Sequence, residues 1–295
     1  MGNCVSFHEA ARPFDRSHNP PGLHAMIDVE CYFDDSSDER RERYFACGGF
    51  VGSPDQWDMF DAFWSVETYE LSEPFHSTDC ECGYGQFRDW PIPKRNDLMA
   101  RLTAVVNKAG LLGYASILPV ADFKSVFPGM GNREAMRIVF AHIMVNMAHI
   151  ANQADKSLAL WFENSPYDGV ATNVLNDLRE AEWPPSQRLR GPHFESKELR
   201  PLQSADLVAR EAFKHVDNLG VRPMRKSLIQ ISESLFFMLW NRGTLEHFAA
   251  NGGPGNLRAL WESRELPDAN KLTHFFWNRS WDKRAAGAGP GGLIP

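Results

Sequence analysis

The run Leu158-Ala159-Leu160-Trp161-Phe162 carries no polar side chain and stops at Glu163. Successive side chains of a strand point to opposite faces, so an all-apolar run of strand length needs cover on both. The neighbouring pattern supplies that cover. Glu134–Gln153 upstream reads as a long, mostly apolar helix buried on more than one side, and Asp168–Trp183 downstream is helical until Pro184-Pro185. A sheet with helices packed against it follows.

The rest of the chain repeats the alternation. Ala25–Phe33 reads as a strand with Ala25, Ile27, Val29, Cys31 and Phe33 on one face and Met26, Asp28, Glu30 and Tyr32 on the other. An acidic loop, Asp34–Glu42, joins it to a partner strand at Tyr44–Val51. Helices are expected from Pro54 to about Leu71 and from about Lys94 to Lys108, the second stopped by Gly110, with a strand at Leu112–Val120. A weaker strand lies near His193-Phe194, and amphipathic helices open at Pro201 and cover Leu228–Trp240. Strands interleaved with helices define an α/β class with a mixed sheet flanked by helices. The expected organisation is a loose arm over 1–22, one domain over 23–220, a helical extension over 221–284 packed on the core, and a disordered Gly-rich tail over 285–295.

Charge and length exclude several classes. The longest apolar run, Leu235–Trp240, is six residues, against about 20 for a membrane span, so no membrane partner is expected. Lys and Arg number 31 against 38 Asp and Glu, a net of −7, which excludes a generally basic nucleic-acid coat. Five cysteines are too few and odd for a disulfide framework, which points to a reducing, cytoplasmic setting. No P-loop, strand-to-helix Gly-x-Gly-x-x-Gly or Gly-x-Ser-x-Gly motif is present; the string Gly287–Gly292 belongs to the Gly-rich tail.

Three places carry candidate chemistry. Asp28 and Glu30 project from the same face of the first strand; they are either a solvated polar face or a pair held by a cation. Glu163 ends the apolar strand, where ligands of open α/β sheets gather. In the helix after Pro201, Gln203, Asp206, Arg210 and Lys214 share one side; Asp206 and Arg210 are either an i,i+4 surface pair or a metal-binding carboxylate with a cation behind it. The segment Arg188–Lys226 holds nine Lys and Arg against five Asp and Glu, +4 in an acidic chain, and offers Arg188, Arg190, Lys197, Arg200, Arg210 and Lys214 to a nucleic acid. His76-Ser77-Thr78-Asp79-Cys80-Glu81-Cys82 reads as a loop bringing His76 and Asp79 to a site, or as a zinc site on His76, Cys80 and Cys82 that lacks a fourth ligand.

Taken in order, Met26-Ile27-Asp28, His76-Ser77-Thr78-Asp79 with Gly85-Gln86-Phe87, Phe162-Glu163, and Ser196-Lys197 with Leu202-Gln203-Ser204-Ala205-Asp206-Leu207 resemble the domain-of-unknown-function family 3800, over about residues 24–218. The resemblance implies a ribonuclease-H-like fold whose acidic residues converge over the sheet to hold divalent cations, as in suspected nucleases. One departure stands out: the family continues Asp-Glu-Ser-Gly, whereas this chain reads Asp28-Val29-Glu30-Cys31.

The expectation that follows is a nuclease dependent on Mg²⁺ or Mn²⁺, ions that take carboxylate oxygens. Two such ions about 3.5–4 Å apart stabilise the attacking and leaving oxygens of a phosphodiester. Asp28 and Asp206 are the principal expected ligands, with Glu163 and then Glu30 or Asp79 completing the shell. Lys197 is expected at a phosphate and His76 at a proton or a water. The alternative is a catalytically degenerate module of the same fold that binds nucleic acid or protein.

Overall fold

The structure, a computed structural model, describes residues 29–219, 225–257 and 260. The expected N-terminal arm, Asp28 and the Gly-rich tail lie outside the described residues. Within them the chain forms an α/β fold with one six-stranded mixed sheet, flanked by helices on both faces.

The strands are β1 (Val29–Ser37), β2 (Tyr44–Gly52), β3 (Leu112–Pro119), β4 (Leu158–Glu163), β5 (Leu189–Glu195) and β6 (Leu235–Leu239), in the spatial order β5-β4-β1-β2-β3-β6. β2 runs antiparallel to both β1 and β3; the β1–β4, β4–β5 and β3–β6 pairs are parallel. The apolar run at 158–162 therefore sits between two strands, as its composition requires.

The helices are α1 (Pro54–Glu67), α2 (Ser77–Cys82), α3 (Ile92–Ala109), α4 (Val120–Val126), α5 (Asn132–Gln153), α6 (Asp168–Glu180), α7 (Arg200–Asp217), α8 (Lys226–Ile231) and α9 (Arg242–Ala250). Their ends follow local chemistry. Ser53 caps α1 in a reciprocal capping box with Gln56, and Pro54 opens it. Gly110 closes α3 at φ 66°, a conformation that costs glycine nothing.

The two faces of β1 feed two cores. Val29, Cys31 and Phe33 pack with α5 and α6. Tyr32 packs with Phe50, the α1 aromatics Trp57, Phe60 and Trp64, and residues of α3, α7 and α8. α7 crosses β1 and β2 closely because β2 carries no side chain at Gly48, and Gly49 beside it lets β2 lie close against β1. A Cβ at Gly48 would stand 3.0 Å from the Ala209 backbone, and one at Gly49 1.9 Å from the Tyr32 carbonyl oxygen.

Three differences from the sequence reading matter. β1 continues to Ser37, so Asp34–Ser37 belongs to the strand and not to the expected acidic loop. The even-numbered face of β1 is buried rather than solvated: Glu30 is 4% exposed and Asp34 6%. The helix expected over Leu228–Trp240 is split into α8, a short 3₁₀ turn and β6. The run Leu235–Leu239 finds the open edge of β3, and pairing its backbone there satisfies donors and acceptors that a local helix would otherwise satisfy. The C-terminal segment thus extends the sheet as well as adding helices.

Candidate functional site

Asp34, Glu163 and Asp206 arrive from three elements and meet at one cation. The parallel register pairs Phe33 with Phe162, which sets the next residues, Asp34 in β1 and Glu163, side by side at the carboxyl end of β4. α7 lies over them and lowers Asp206 toward the same point. Lys197, in the turn between β5 and α7, places its Nζ 2.9 Å from Glu163 Oε2, 3.2 Å from Asp206 Oδ1 and 3.4 Å from Asp34 Oδ2.

The turn bearing Lys197 is held from behind. The Gln203 amide donates to the Lys197 carbonyl oxygen at 2.8 Å, and Gln203 Oε1 accepts from Trp64 Nε1 at 2.8 Å. This gives the block Leu202–Leu207 a physical content: Leu202 and Leu207 enter the core, Gln203 fixes the lysine turn, and Asp206 joins the cluster. Asp206 Oδ2 also accepts the backbone N–H of Ser77. His76 stands between two carboxylates, with Nε2 3.7 Å from Asp206 Oδ1 and Nδ1 3.3 Å from Asp79 Oδ2. His76 and Asp79 are half-exposed, so they link the buried Asp206 to solvent.

The group divides its charges. Burial drives the Asp34 carboxyl well above the usual carboxylate range; Lys197 opposes this, and Asp206 and Glu163 reinforce it. Asp206 goes the other way. Burial would raise it, but Lys197, then His76 and the Ser77 N–H, hold it below its usual range. Burial alone would lower the Lys197 ammonium, yet Asp206, Asp34 and Glu163 together raise it. Two buried carboxyls on one lysine with pKa values pushed apart form the pattern by which sites separate acid from base.

Several expected residues fall elsewhere. Glu30 lies four residues before Asp34, roughly 13 Å along the strand. It accepts from Tyr32 Oη at 3.3 Å, while its carbonyl accepts from Trp57 Nε1, so it takes no part in the cluster. Asp79 reaches the group only through His76. The i,i+4 pair of Asp206 with Arg210 does not form: Asp206 turns to Lys197, and Arg210 pairs with Glu81 at 3.0 Å. His76-Ser77-Thr78-Asp79 opens the short helix α2 and is not a loop. Cys80 is buried, its thiol pushed up to about 12 by burial, and Cys82 is exposed. The two cysteines and His76 do not form a metal-holding group.

Asp34 is the residue that sequence reasoning missed. Its signal was the Asp34-Asp35 pair followed by two serines at the carboxyl end of a strand, obscured by ending the strand at Phe33.

The basic segment does not form the expected surface. Arg188 pairs with Asp155, Arg200 with Asp61, and Arg210 and Lys214 with Glu81. Arg190 donates to the Gln187 carbonyl, and Lys197 is enclosed by the cluster. Of the six cations expected at phosphate, all but Arg190 pair with carboxylates of the fold.

Carboxylate oxygens from three elements are the donor type that Mg²⁺ or Mn²⁺ takes. The point they share is held by the Lys197 ammonium, and among the described residues no group of three or more His, Cys, Asp or Glu is already arranged to hold a metal ion. An ion and Lys197 would compete for the same oxygens. Among the described residues no helix is long and apolar enough to cross a membrane. Compared with protein-family models and with curated proteins, the chain matches none.

Proposed function

We propose that the chain is a nuclease that hydrolyses phosphodiesters of DNA or RNA with Mg²⁺ or Mn²⁺, on a ribonuclease-H-like fold akin to the domain-of-unknown-function family 3800. The observation that carries this reading is the meeting of Asp34, Glu163 and Asp206 within 3.4 Å of one cationic nitrogen. The resemblance gains from the new register: Asp34-Asp35-Ser36-Ser37 stands closer to Asp-Glu-Ser-Gly than the sequence after Asp28 does. Free Cys31, Cys47, Cys80 and Cys82 support a cytoplasmic setting within the same reading.

Asp34, Glu163 and Asp206 are the residues that would hold the ion. When bound, such an ion supplies a water nucleophile at neutral pH and neutralises charge on the phosphoryl oxygens. The chain's own groups do the remainder. Asp206, held ionised, is ready for a cation without first losing a proton. Lys197, released from the carboxylates, turns its ammonium toward the phosphate. His76, between Asp206 and the half-exposed Asp79, passes a proton between the buried site and water.

A second reading, a module of the same fold that binds without cutting, is favoured by one observation: the ammonium already fills the shared point. The deciding assay is cleavage of single- and double-stranded DNA and RNA with Mn²⁺, Mg²⁺ or EDTA. Metal-dependent cutting that is lost in Asp34→Asn and Asp206→Asn and kept in Glu30→Gln is expected. A folded wild type that cuts nothing overturns the nuclease, and cutting that survives Asp34→Asn overturns this cluster as its site.

A further inference from the structure

At the same end of the sheet, on its opposite face, lies an open pocket of about 620 Å³ lined by Arg41, Lys124, Gly131, Asn132, Arg133, Glu134, Pro166 and Tyr167. Three of its side chains are cations. Among the described residues none of Arg41, Lys124 and Arg133 has a carboxylate within ion-pair distance, Arg41 having only the field of Asp35, in contrast to the pairing of Arg188, Arg200, Arg210 and Lys214. The single acid lining it, Glu134, faces the backbone, accepting the Gly131 N–H at 2.9 Å.

The pocket is built, not a chance meeting of mobile side chains. Arg41 adopts a left-handed backbone at φ 55°, uncommon for a residue with a side chain, and its N–H is bonded to the Asp38 carbonyl at 2.8 Å. Its guanidinium donates to Tyr167 Oη at 3.0 Å, and Tyr167 is only 3% exposed. Lys124 and Arg133 reach in from the exposed side. The first turn of the 22-residue α5 adds backbone N–H groups beside them.

The pocket adjoins the carboxylate cluster through the chain itself. Pro166 comes three residues after Glu163, at most about 11 Å along an extended backbone. Asp35, next to Asp34, feels both Arg41 and Lys197. A single strand carries a phosphate every few ångströms, so a strand cut at the cluster has neighbouring phosphates within reach of these cations.

We propose that Arg41, Lys124 and Arg133 form a phosphate-binding subsite that holds the backbone of a nucleic-acid strand beside the cluster. This rests on the nuclease reading for its choice of ligand and not for its test.

The test is fluorescence anisotropy of short, fluorescein-labelled single-stranded DNA and RNA in EDTA, where nothing is cut, across a range of salt. Lys124→Ala with Arg133→Ala changes two exposed side chains, so the fold should survive, and circular dichroism checks it. The expected result is binding weakened by about tenfold or more at low salt. The slope of log affinity against log salt becomes shallower by about 1.4, two contacts at about 0.7 each for a single strand. Arg188→Ala with Arg190→Ala should leave both unchanged.

Equal affinity and slope in the Lys124/Arg133 variant and the wild type overturn the subsite, as does a wild type that binds neither strand, whether or not it binds inorganic pyrophosphate. The two readings fail separately. Strand binding lost in this variant with no cleavage under any metal removes the nuclease and keeps the subsite; cleavage with unchanged binding does the reverse.

Discussion

The ammonium of Lys197 lies 2.9 Å from Oε2 of Glu163, two residues 34 positions apart that meet because α7 and β5 fold the turn between them back over the end of β4. That ammonium also serves Asp34 and Asp206, so one cation offsets the repulsion of three carboxylates.

Lys197→Met should therefore be costly without metal. Removing one partner of a buried ion pair leaves uncompensated charge, at about 3 kcal/mol or more. Urea denaturation in EDTA should show that loss, and Mn²⁺ should restore more stability to the variant than it adds to the wild type, because ion and ammonium no longer compete. A variant as stable as wild type in EDTA would show that the ammonium does not hold the cluster together.

Asp34→Asn should stabilise the protein at neutral pH while abolishing cleavage. The folded-state pKa of Asp34 is raised, so its contribution is fully present below its ordinary value of 3.8 and is lost as pH rises through the folded value. At pH 7, above that ordinary value, burial of the carboxyl costs stability that a neutral amide does not cost. The variant should gain about 1 kcal/mol there, and the gain should disappear near pH 4; thermal melts at the two pH values measure it.

His142 gives a second pH effect of opposite sign. It is buried against Tyr114 Oη, 3.0 Å from its Nδ1, and Ser116 Oγ, and burial lowers its pKa to about 3. The unfolded state takes up a proton below about 6.5 that the native state refuses, so this contribution is present above 6.5 and is lost as pH falls toward 3. Wild type should lose up to about 1.4 kcal/mol per pH unit from this group in that window. His142→Gln should flatten the slope of stability against pH, and an unchanged slope would show that His142 is protonated in the fold.

Gly49→Ala should be among the most damaging single-methyl changes. Its Cβ would stand 1.9 Å from the Tyr32 carbonyl oxygen and 2.6 Å from Phe33 Cδ1, so β2 would have to leave β1. A loss of about 3 kcal/mol or more is expected, read as a fall in Tm.

Much of the architecture was legible along the chain. The five apolar residues before Glu163, Pro54 and Gly110, and the amphipathic pattern of α7 mark elements through local chemistry, and local chemistry is what periodicity and caps record. Glu163, Asp206, Lys197 and His76 were legible as a set of chemically able residues. Their bonds were not, because Asp206 has both Arg210 one turn away and Lys197 nine residues back, and spacing favours the first.

The sequence by itself determined most of the strands and helices up to α7, that the 158–162 strand needs cover on both faces, and that acidic groups stand at the end of β4 and within α7. Tertiary structure alone decided that Asp34 rather than Glu30 meets them, that Leu235–Leu239 joins the sheet as a strand, and that most of the basic stretch is drawn into ion pairs while Arg41, Lys124 and Arg133 face a pocket. The reason is physical. Burial and periodicity are properties of neighbours along the chain, whereas strand register, such as Phe33 against Phe162, and the partner of a charge are set by residues on other elements, brought together only by the fold. One residue of register is enough to exchange which carboxylate faces which.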